Sequence, residues 1–104
     1  YMADKAIVTM DGVDADRGLT TLRMEGVNTL RSILLRARKR ILVADSSKIG
    51  LESHCFVEDI SCVDVLVTNW TEDPEKQEAL KRIAAHGVRI VYSDDFKEGE
   101  TTTC

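Results

Sequence analysis

Short apolar segments alternate along this chain with segments of helical periodicity, and this alternation restricts the possible folds more than any other feature. The apolar runs at 5–10, 40–45, 63–68 and 88–92 are rich in Val, Ile and Leu, as is typical of strands buried in a sheet. Strands separated by helices are joined by right-handed crossovers, which favours parallel pairing. The sequence therefore predicts an α/β fold with a mainly parallel sheet and flanking helices.

Two helices are predicted between these strands. The first spans about Met24 to Lys39 and ends in a basic run from Arg36 to Arg40, where cations favour the negative end of the helix dipole. Its apolar residues recur at intervals of three and four: Val27, Leu30, Leu34 and Ala37. The second helix opens at Asp73-Pro74, an N-cap residue followed by a first-turn proline, and stops at Gly87.

The remaining segments are shorter. Cys55, Phe56 and Val57 form a candidate short strand, and the Gly- and Asp-rich segment 11–18 is predicted to be a loop. Residues 1–96 are expected to belong to one domain, and residues 97–104 to be a flexible polar tail. Two helices are too few to cover both faces of a parallel sheet. We therefore expect a partial domain, whose bare face is covered by material before residue 1 or by a partner chain.

Composition disfavours several classes of function. The chain of 104 residues has a net charge of −4, whereas a domain that binds nucleic acid by itself usually carries the opposite balance. Its three cysteines show no CxxC spacing, which argues against a disulfide framework and a structural zinc site. No segment is long and apolar enough to cross a membrane. A reducing, cytoplasmic setting fits best.

Polar residues follow two of the predicted strands. One group is Asp11-Gly12-Val13-Asp14, with Gly18-Leu19-Thr20 after it, and the other is Asp45-Ser46-Ser47-Lys48. Ligands of open parallel sheets bind beyond the carboxyl ends of the strands, so both groups are expected on the same edge. Taken separately, each segment is also typical of a plain loop.

The residue types in these segments suit a polyhydroxylated, anionic ligand. Aspartates accept hydrogen bonds from sugar hydroxyls, glycines let the backbone approach a ligand, and Lys48 can meet a phosphate. No Ser-His-Asp, Cys-His, P-loop or GxGxxG pattern is present, so no catalytic residue, metal or cofactor is predicted. The candidate ligand-binding residues are Asp11, Gly12, Asp14, Gly18, Leu19, Thr20, Asp45, Ser46, Ser47 and Lys48.

In these segments the chain resembles the sensor domain of DeoR-type transcriptional regulators, and the resemblance extends over about residues 3–93. The resemblance is carried by Arg17-Gly18-Leu19-Thr20-Thr21 and Ile41-Leu42-Val43-Ala44-Asp45-Ser46-Ser47-Lys48, together with Asp11-Gly12-Val13. The same segments are similar to ribose-5-phosphate isomerase, which shares this fold. In that enzyme a Lys followed by glycines stands where this chain has Arg17-Gly18-Leu19, and this departure puts catalysis in doubt.

The resemblance implies the sensor of a repressor of sugar metabolism, bound by a phosphorylated sugar and assembled as a homo-oligomer. DNA would be contacted only through a helix-turn-helix domain outside this chain. This chain itself would carry the C-terminal half of the sensor. The chain also departs from the family. It has Thr68-Asn69 where the family often has Thr-Asp, and Arg31 is the nearest cation where the family often has a helix Lys.

Two other functions stay open at this point. In an isomerase-like enzyme, Asp11 or Asp14 would act as the carboxylate base and Lys48 would stabilise an enediolate. In a bare oligomerisation module, the fold would be kept without a ligand.

Overall fold

The computed structural model of the chain describes residues 3–93, which form seven strands and two α-helices. The strands are β1 (Ala3–Thr9), β2 (Gly12–Asp14), β3 (Gly18–Thr21), β4 (Ala37–Val43), β5 (Cys55–Glu58), β6 (Val65–Thr68) and β7 (Arg89–Tyr92). The helices are α1 (Val27–Arg36) and α2 (Pro74–Ala85). Single 3-10 turns lie at Met24–Gly26, Ser46–Lys48 and Ile60–Cys62. The predicted tail, residues 97–104, lies outside the described residues.

Four strands form a parallel sheet in the order β1-β4-β6-β7. Ile41 of β4 pairs with Ile7 of β1 on one side and with Val65 of β6 on the other. Val65 in turn pairs with Arg89 of β7. The predicted α/β fold with a mainly parallel sheet is confirmed, and each of its four predicted strands has a counterpart within a few residues.

Only one face of this parallel sheet is covered by the described residues. Val8, Leu42 and Leu66 point into the core, whereas Ile7 is 69% exposed and Val43 is 39% exposed. Along the chain, each new strand of this sheet is added on the same side of the previous one, in the order β1-β4-β6-β7. Right-handed crossovers between strands added in this way all lie on the same face of the sheet. The opposite side, the open face, carries apolar side chains that are exposed or half-buried: Ile7, Ile41, Val43, Val65 and Val67.

The open face corrects one expectation and leaves another as a prediction. The apolar runs were expected to be strands buried in a sheet, but β1 alternates between buried and exposed positions along its length. This alternation is the pattern of a strand with a single covered face. That another element covers the open face stays a prediction.

A second, antiparallel sheet in the order β2-β3-β5 packs on the same core. Gly12 pairs with Thr20, and Thr20 pairs with Phe56. The prediction that residues 11–18 form a plain loop is therefore wrong, because this segment contains β2 and the start of β3. The short strand expected around Phe56 is confirmed as β5.

Helix α1 is shorter than its sequence pattern predicts. It ends at Arg36, because Ala37 adopts extended backbone angles (φ −89°, ψ 145°) and begins β4. The basic run was predicted to lie at the end of this helix. Only Arg36 does so, and the prediction is wrong for the rest of the run, which lies in β4. Arg40 is used elsewhere, since its Nη1 donates to the carbonyl of Cys62 at 3.0 Å.

Helix α2 begins and ends as predicted. The Asp73 carboxylate accepts a hydrogen bond from the Glu75 N–H at 2.9 Å, and Pro74 occupies the first turn. Gly87 follows the helix with φ +93°, a left-handed angle that favours glycine. Its buried side chains Leu80 and Ile83 pack in the hydrophobic core. Within residues 3–93, no helix is long and apolar enough to cross a membrane.

Candidate functional site

The carboxyl ends of β1 and β4 are neighbours in the parallel sheet, so the segments that follow them meet at one edge. Asp11 follows β1, and the turn Ser46–Lys48 follows β4 after Asp45. Hydrogen bonds from their neighbours, and after them the charge of Lys48, lower the pKa of both the Asp11 and the Asp45 carboxyl. We call this group of residues, Asp11 and Asp45–Lys48, the carboxyl edge.

Asp11 is held as a carboxylate by its neighbours. Its Oδ2 accepts hydrogen bonds from the N–H of Leu22 at 2.7 Å and from Oγ1 of Thr21 at 3.1 Å. These two bonds, and after them the charges of Lys48 and Arg23, lower the pKa of Asp11 below its usual 3.8. The side chain therefore carries a negative charge at neutral pH, and it ties the end of β3 to the end of β1.

Asp45 opens the 3-10 turn of the carboxyl edge. Its carboxylate accepts from Oγ of Ser47 at 2.5 Å and from the Ser47 N–H at 3.2 Å. The Ser47 hydroxyl, and then the Ser47 N–H, lower the pKa of Asp45. Both side chains are exposed, so the turn presents oxygen acceptors to solvent without burying them.

Two lysines near the carboxyl edge differ in their contacts. Lys76 of α2 donates from Nζ to the carbonyl of Ile49 at 2.6 Å and to that of Ser47 at 3.4 Å, which fixes the turn from outside. Lys48 is half-buried and forms no ion pair with any residue of the described chain. Lys48 is therefore a cation that can meet an anionic group of a ligand.

Asn69 also belongs to this edge, and the sequence reasoning left it out of the candidate residues. It follows β6, and its Oδ1 accepts from the N–H of Ser46 at 2.7 Å. Its Nδ2 donates to Oγ of Ser46 at 3.0 Å. The signal was available, because Asn69 comes directly after a parallel strand, the position that marked Asp11 and Asp45.

The four candidate residues Gly12, Gly18, Leu19 and Thr20 have a role in folding. Leu19 is fully buried, and Thr20 is only 2% exposed, with its Oγ1 accepting from the N–H of Ser53 at 2.7 Å. Gly18 has φ +79°, and a Cβ there would lie 2.5 Å from the carbonyl oxygen of Glu58. A Cβ on Gly12 would lie 2.7 Å from the carbonyl oxygen of Leu51. These positions hold the hairpin together.

Asp14 closes the same hairpin and faces a different depression. Its Oδ2 accepts from the N–H groups of Asp16 at 3.0 Å and Arg17 at 2.9 Å. The residue lines a cleft of about 480 Å³ against α2. Asp45 and Asn69, in contrast, line a recess of about 210 Å³ at the ends of β4 and β6. Of the predicted site residues, Asp14 and Asp45 thus line two different depressions.

The carboxyl edge offers hydroxyls, carboxylates and Lys48, which forms no ion pair with the described residues. Carboxylates suit sugar hydroxyls, and the lysine suits a phosphate, whereas the buried hairpin residues can contribute only through the shape of the backbone. Among residues 3–93, no group of three or more His, Cys, Asp or Glu side chains could hold a metal ion.

Comparison with known proteins gives a family match. The model of the family described as the DeoR C terminal sensor domain matches residues 1–70. The glycerol-3-phosphate regulon repressor of Escherichia coli K12 is 27% identical over 90 residues, covering 86% of this chain and 34% of that protein. The HTH-type transcriptional regulator GlpR of Haloferax volcanii is 28% identical over 88 residues, covering 85% of this chain and 33% of that protein. The chain thus spans about a third of the length of these relatives.

Proposed function

This chain belongs to the DeoR C-terminal sensor domain family, and from that membership we propose that it is the effector-binding and oligomerisation portion of a transcriptional repressor of sugar metabolism. The proposed effector is a phosphorylated sugar. DNA is contacted through a helix-turn-helix domain outside this chain, and the protein acts in the cytoplasm.

The observation that carries the effector proposal is the state of Lys48. After the hydrogen bonds from their own neighbours, its charge also lowers the pKa of the Asp11 and Asp45 carboxyls, yet it forms no ion pair with either within the described residues. Both carboxylates are already satisfied by hydrogen bonds from their own neighbours. Lys48 is therefore left to bind an external anion, while the carboxylate oxygens that face solvent can accept from hydroxyl groups of the same ligand.

The state of Asp11 also favours binding over catalysis. A general base works best when its pKa lies near the working pH, and enzymes raise carboxylate pKa values to reach it. Hydrogen bonds from Leu22 and Thr21 lower the pKa of Asp11 instead. The Oδ2 of Asp14 is likewise occupied by two backbone N–H groups. These arrangements support a sensor rather than an isomerase.

The test of the effector proposal is calorimetry on the 104-residue chain with a panel of sugar phosphates. The panel includes glycerol 3-phosphate, which the name of the Escherichia coli relative suggests. At least one phosphate ester should bind, and Lys48→Ala should weaken that binding about tenfold or more, since a hydrogen bond to a charged group contributes about 1.5–3 kcal/mol.

The matched control is Lys39→Ala, which removes the same charge from the exposed, opposite end of β4. It should leave the affinity unchanged apart from a small, salt-dependent effect. Absence of heat for every phosphate ester, or equal losses in the two variants, would contradict the effector proposal.

The oligomerisation part of the proposal is supported by the apolar open face. Ile7, at 69% exposed, lies there beside half-buried Ile41 and Val65. Contiguous apolar surface of this kind marks interaction sites in soluble proteins. Light scattering should give a mass above the 11.6 kDa of one chain, and Ile7→Lys should lower it. Ile33→Lys, at an exposed position on α1, is the control, and a monomeric mass at every concentration would contradict this part.

A further inference from the structure

Lys76 occupies an unfavourable position in its own helix. It is the third residue of α2, close to the positive end of the helix dipole, where an acid stabilises a helix and a cation opposes it. The start of the helix is already stabilised by the Asp73 cap and by the acid Glu75. The position of Lys76 is therefore not explained by the stability of α2, and its hydrogen bonds lie outside the helix.

The ammonium group of Lys76 contacts the backbone of the segment that follows β4. Its Nζ donates to the carbonyl oxygen of Ile49 at 2.6 Å and, more weakly, to that of Ser47 at 3.4 Å. These two carbonyls belong to the residues on either side of Lys48. One charged donor from α2 therefore holds the backbone both before and after Lys48.

The turn itself provides only short-range bonds. The N–H of Lys48 donates to the carbonyl of Asp45 at 2.9 Å, and the N–H of Ile49 donates to the carbonyl of Ser46 at 3.1 Å. A three-residue 3-10 turn with such bonds is weak, because its hydrogen-bond geometry is poor. Since the buried side chains of α2 pack in the hydrophobic core, Lys76 ties this exposed turn to the rigid part of the chain.

We propose that Lys76 is a positioning residue for the effector, which holds the backbone around Lys48 and so fixes the point from which the Lys48 side chain reaches an anion. The inference rests on the proposed function, in which Lys48 binds the phosphate group. Lys76 lines the cleft of about 480 Å³ that also contains Asp14, and neither Lys48 nor Asp45 lines that cleft. Lys76 thus acts through the turn and not by touching the effector.

The contact acts on affinity through preorganisation. Binding orders flexible groups at a cost in free energy, and a backbone that is already held loses less. Without Lys76 the effector itself would have to order the turn, so binding would weaken although the charge of Lys48 is still present. A purely electrostatic contribution of Lys76 would differ from this, because it would be screened by salt.

The binding test is calorimetry on the 104-residue chain with glycerol 3-phosphate and inorganic phosphate, which distinguish an ester from the free anion. Lys76→Met keeps a long side chain without the donor and should weaken binding about fivefold. Lys76→Arg keeps the charge and the donors and should bind within about twofold of the unsubstituted chain. The matched control is Lys81→Met, which removes the same charge from an exposed position of α2 and should change the affinity less than about twofold.

A double variant shows whether Lys76 acts through Lys48. When Lys48→Ala is already present, adding Lys76→Met should change the remaining affinity less than about twofold, because the side chain that Lys76 positions is gone. Losses that multiply in the double variant would overturn the inference, since Lys76 would then act on the anion independently of Lys48.

Hydrogen exchange of the ligand-free chain tests the contact itself. The backbone N–H groups of Lys48 and Ile49 should exchange faster in Lys76→Met, and Lys76→Arg should restore their protection. The N–H of Gln77, which donates to the Asp73 carbonyl at 3.0 Å in the first turn of α2, should keep its protection. Unchanged exchange in the turn, or an equal loss of protection at Gln77, would overturn the inference.

The outcomes separate this inference from the proposed function. If the unsubstituted chain binds neither probe nor any other phosphate ester, the proposed function is contradicted and the positioning role falls with it. If the chain binds but Lys76→Met binds equally well, only the positioning role is overturned. A loss that Lys81→Met reproduces, or that disappears at high salt, would also overturn it, because charge rather than position would then be responsible.

Discussion

The β2–β3 hairpin and the turn Ser46–Lys48 both follow strands of the parallel sheet, yet they use their polar residues differently. In the hairpin, Thr20 is 2% exposed and gives its Oγ1 to a backbone N–H. In the turn, Ser47 is exposed and Lys48 forms no ion pair with the described residues. The two segments have similar composition, but the polar groups of the hairpin form hydrogen bonds within the fold, whereas those of the turn face solvent.

The difference teaches that position in the sheet system decides the role of a polar residue. The hairpin belongs to a second sheet, in which β3 also pairs with β5. Its backbone groups therefore form hydrogen bonds with neighbouring strands. The turn has no strand partner of its own. It is held by α2 through Lys76 and by Asn69, while Lys48 forms no ion pair with the described residues.

Gly18→Ala should have the largest effect and would sharpen the comparison. The new Cβ would lie 2.5 Å from the carbonyl oxygen of Glu58, at a residue with φ +79°. We expect a loss of about 3 kcal/mol or more in the free energy of unfolding, from left-handed strain and overpacking together. Urea unfolding measures it. Gly26→Ala is the control and should change stability little, because its Cβ would meet no atom within 4 Å outside its local backbone.

Thr20→Val tests the hairpin at the level of one hydrogen bond. It leaves the N–H of Ser53 without its 2.7 Å acceptor and should cost about 1–3 kcal/mol of unfolding free energy. Thr20→Ser keeps the hydroxyl and loses a methyl group, so it should cost about 1 kcal/mol. If Thr20→Val were as stable as the unsubstituted chain but bound ligand less well, the division between a structural hairpin and a binding turn would fail.

Asp11 lies where the two regions meet, and its effect should be the smallest and depend on pH. Its pKa is lowered in the folded chain, so its charge stabilises the fold above pH 4 and this contribution is lost as the pH falls through the folded-state pKa. Asp11→Asn should therefore be less stable at pH 6, and the difference should shrink towards pH 3 in urea unfolding.

Asp16→Asn, at an exposed position in the hairpin loop, is the control for this pH dependence. It should shift stability little, because its side chain is exposed and forms no ion pair with the described residues. A difference for Asp11→Asn that stays constant from pH 6 to pH 3 would contradict the role given to the carboxylate.

Much of the fold could be predicted from local patterns. The apolar runs identified the parallel strands, and Asp73, Pro74 and Gly87 marked the bounds of α2, since capping and turn geometry depend on residues close in sequence. The β2–β3 hairpin was missed, because its pairing with β5 joins Thr20 to Phe56 across the chain. The end of α1 was placed too late, because Ala37 follows the helical period but pairs with Ala3 in the sheet.

The candidate site was predicted in part for the same reason. The rule that ligands bind beyond parallel strands led to Asp11, Asp45 and Lys48, which follow the adjacent strands β1 and β4. That they bind a ligand stays a prediction. The rule applied equally to Asn69, which follows β6, yet its hydrogen bonds to Ser46 depend on the adjacency of β4 and β6. No pattern in the sequence shows that Asp14 faces the separate cleft against α2.

The sequence alone determined the family and the parallel α/β core of this protein, because motif letters, apolar periodicity and helix caps act over a few neighbouring residues. Only the tertiary structure decided which polar residues find hydrogen-bond partners within the fold and which, such as Lys48, form no ion pair with the described residues. That choice depends on hydrogen bonds between residues far apart in the chain, such as Thr20 with Ser53 and Ser46 with Asn69. It also decided that one sheet face is open, because crossover handedness and strand order act on the whole chain.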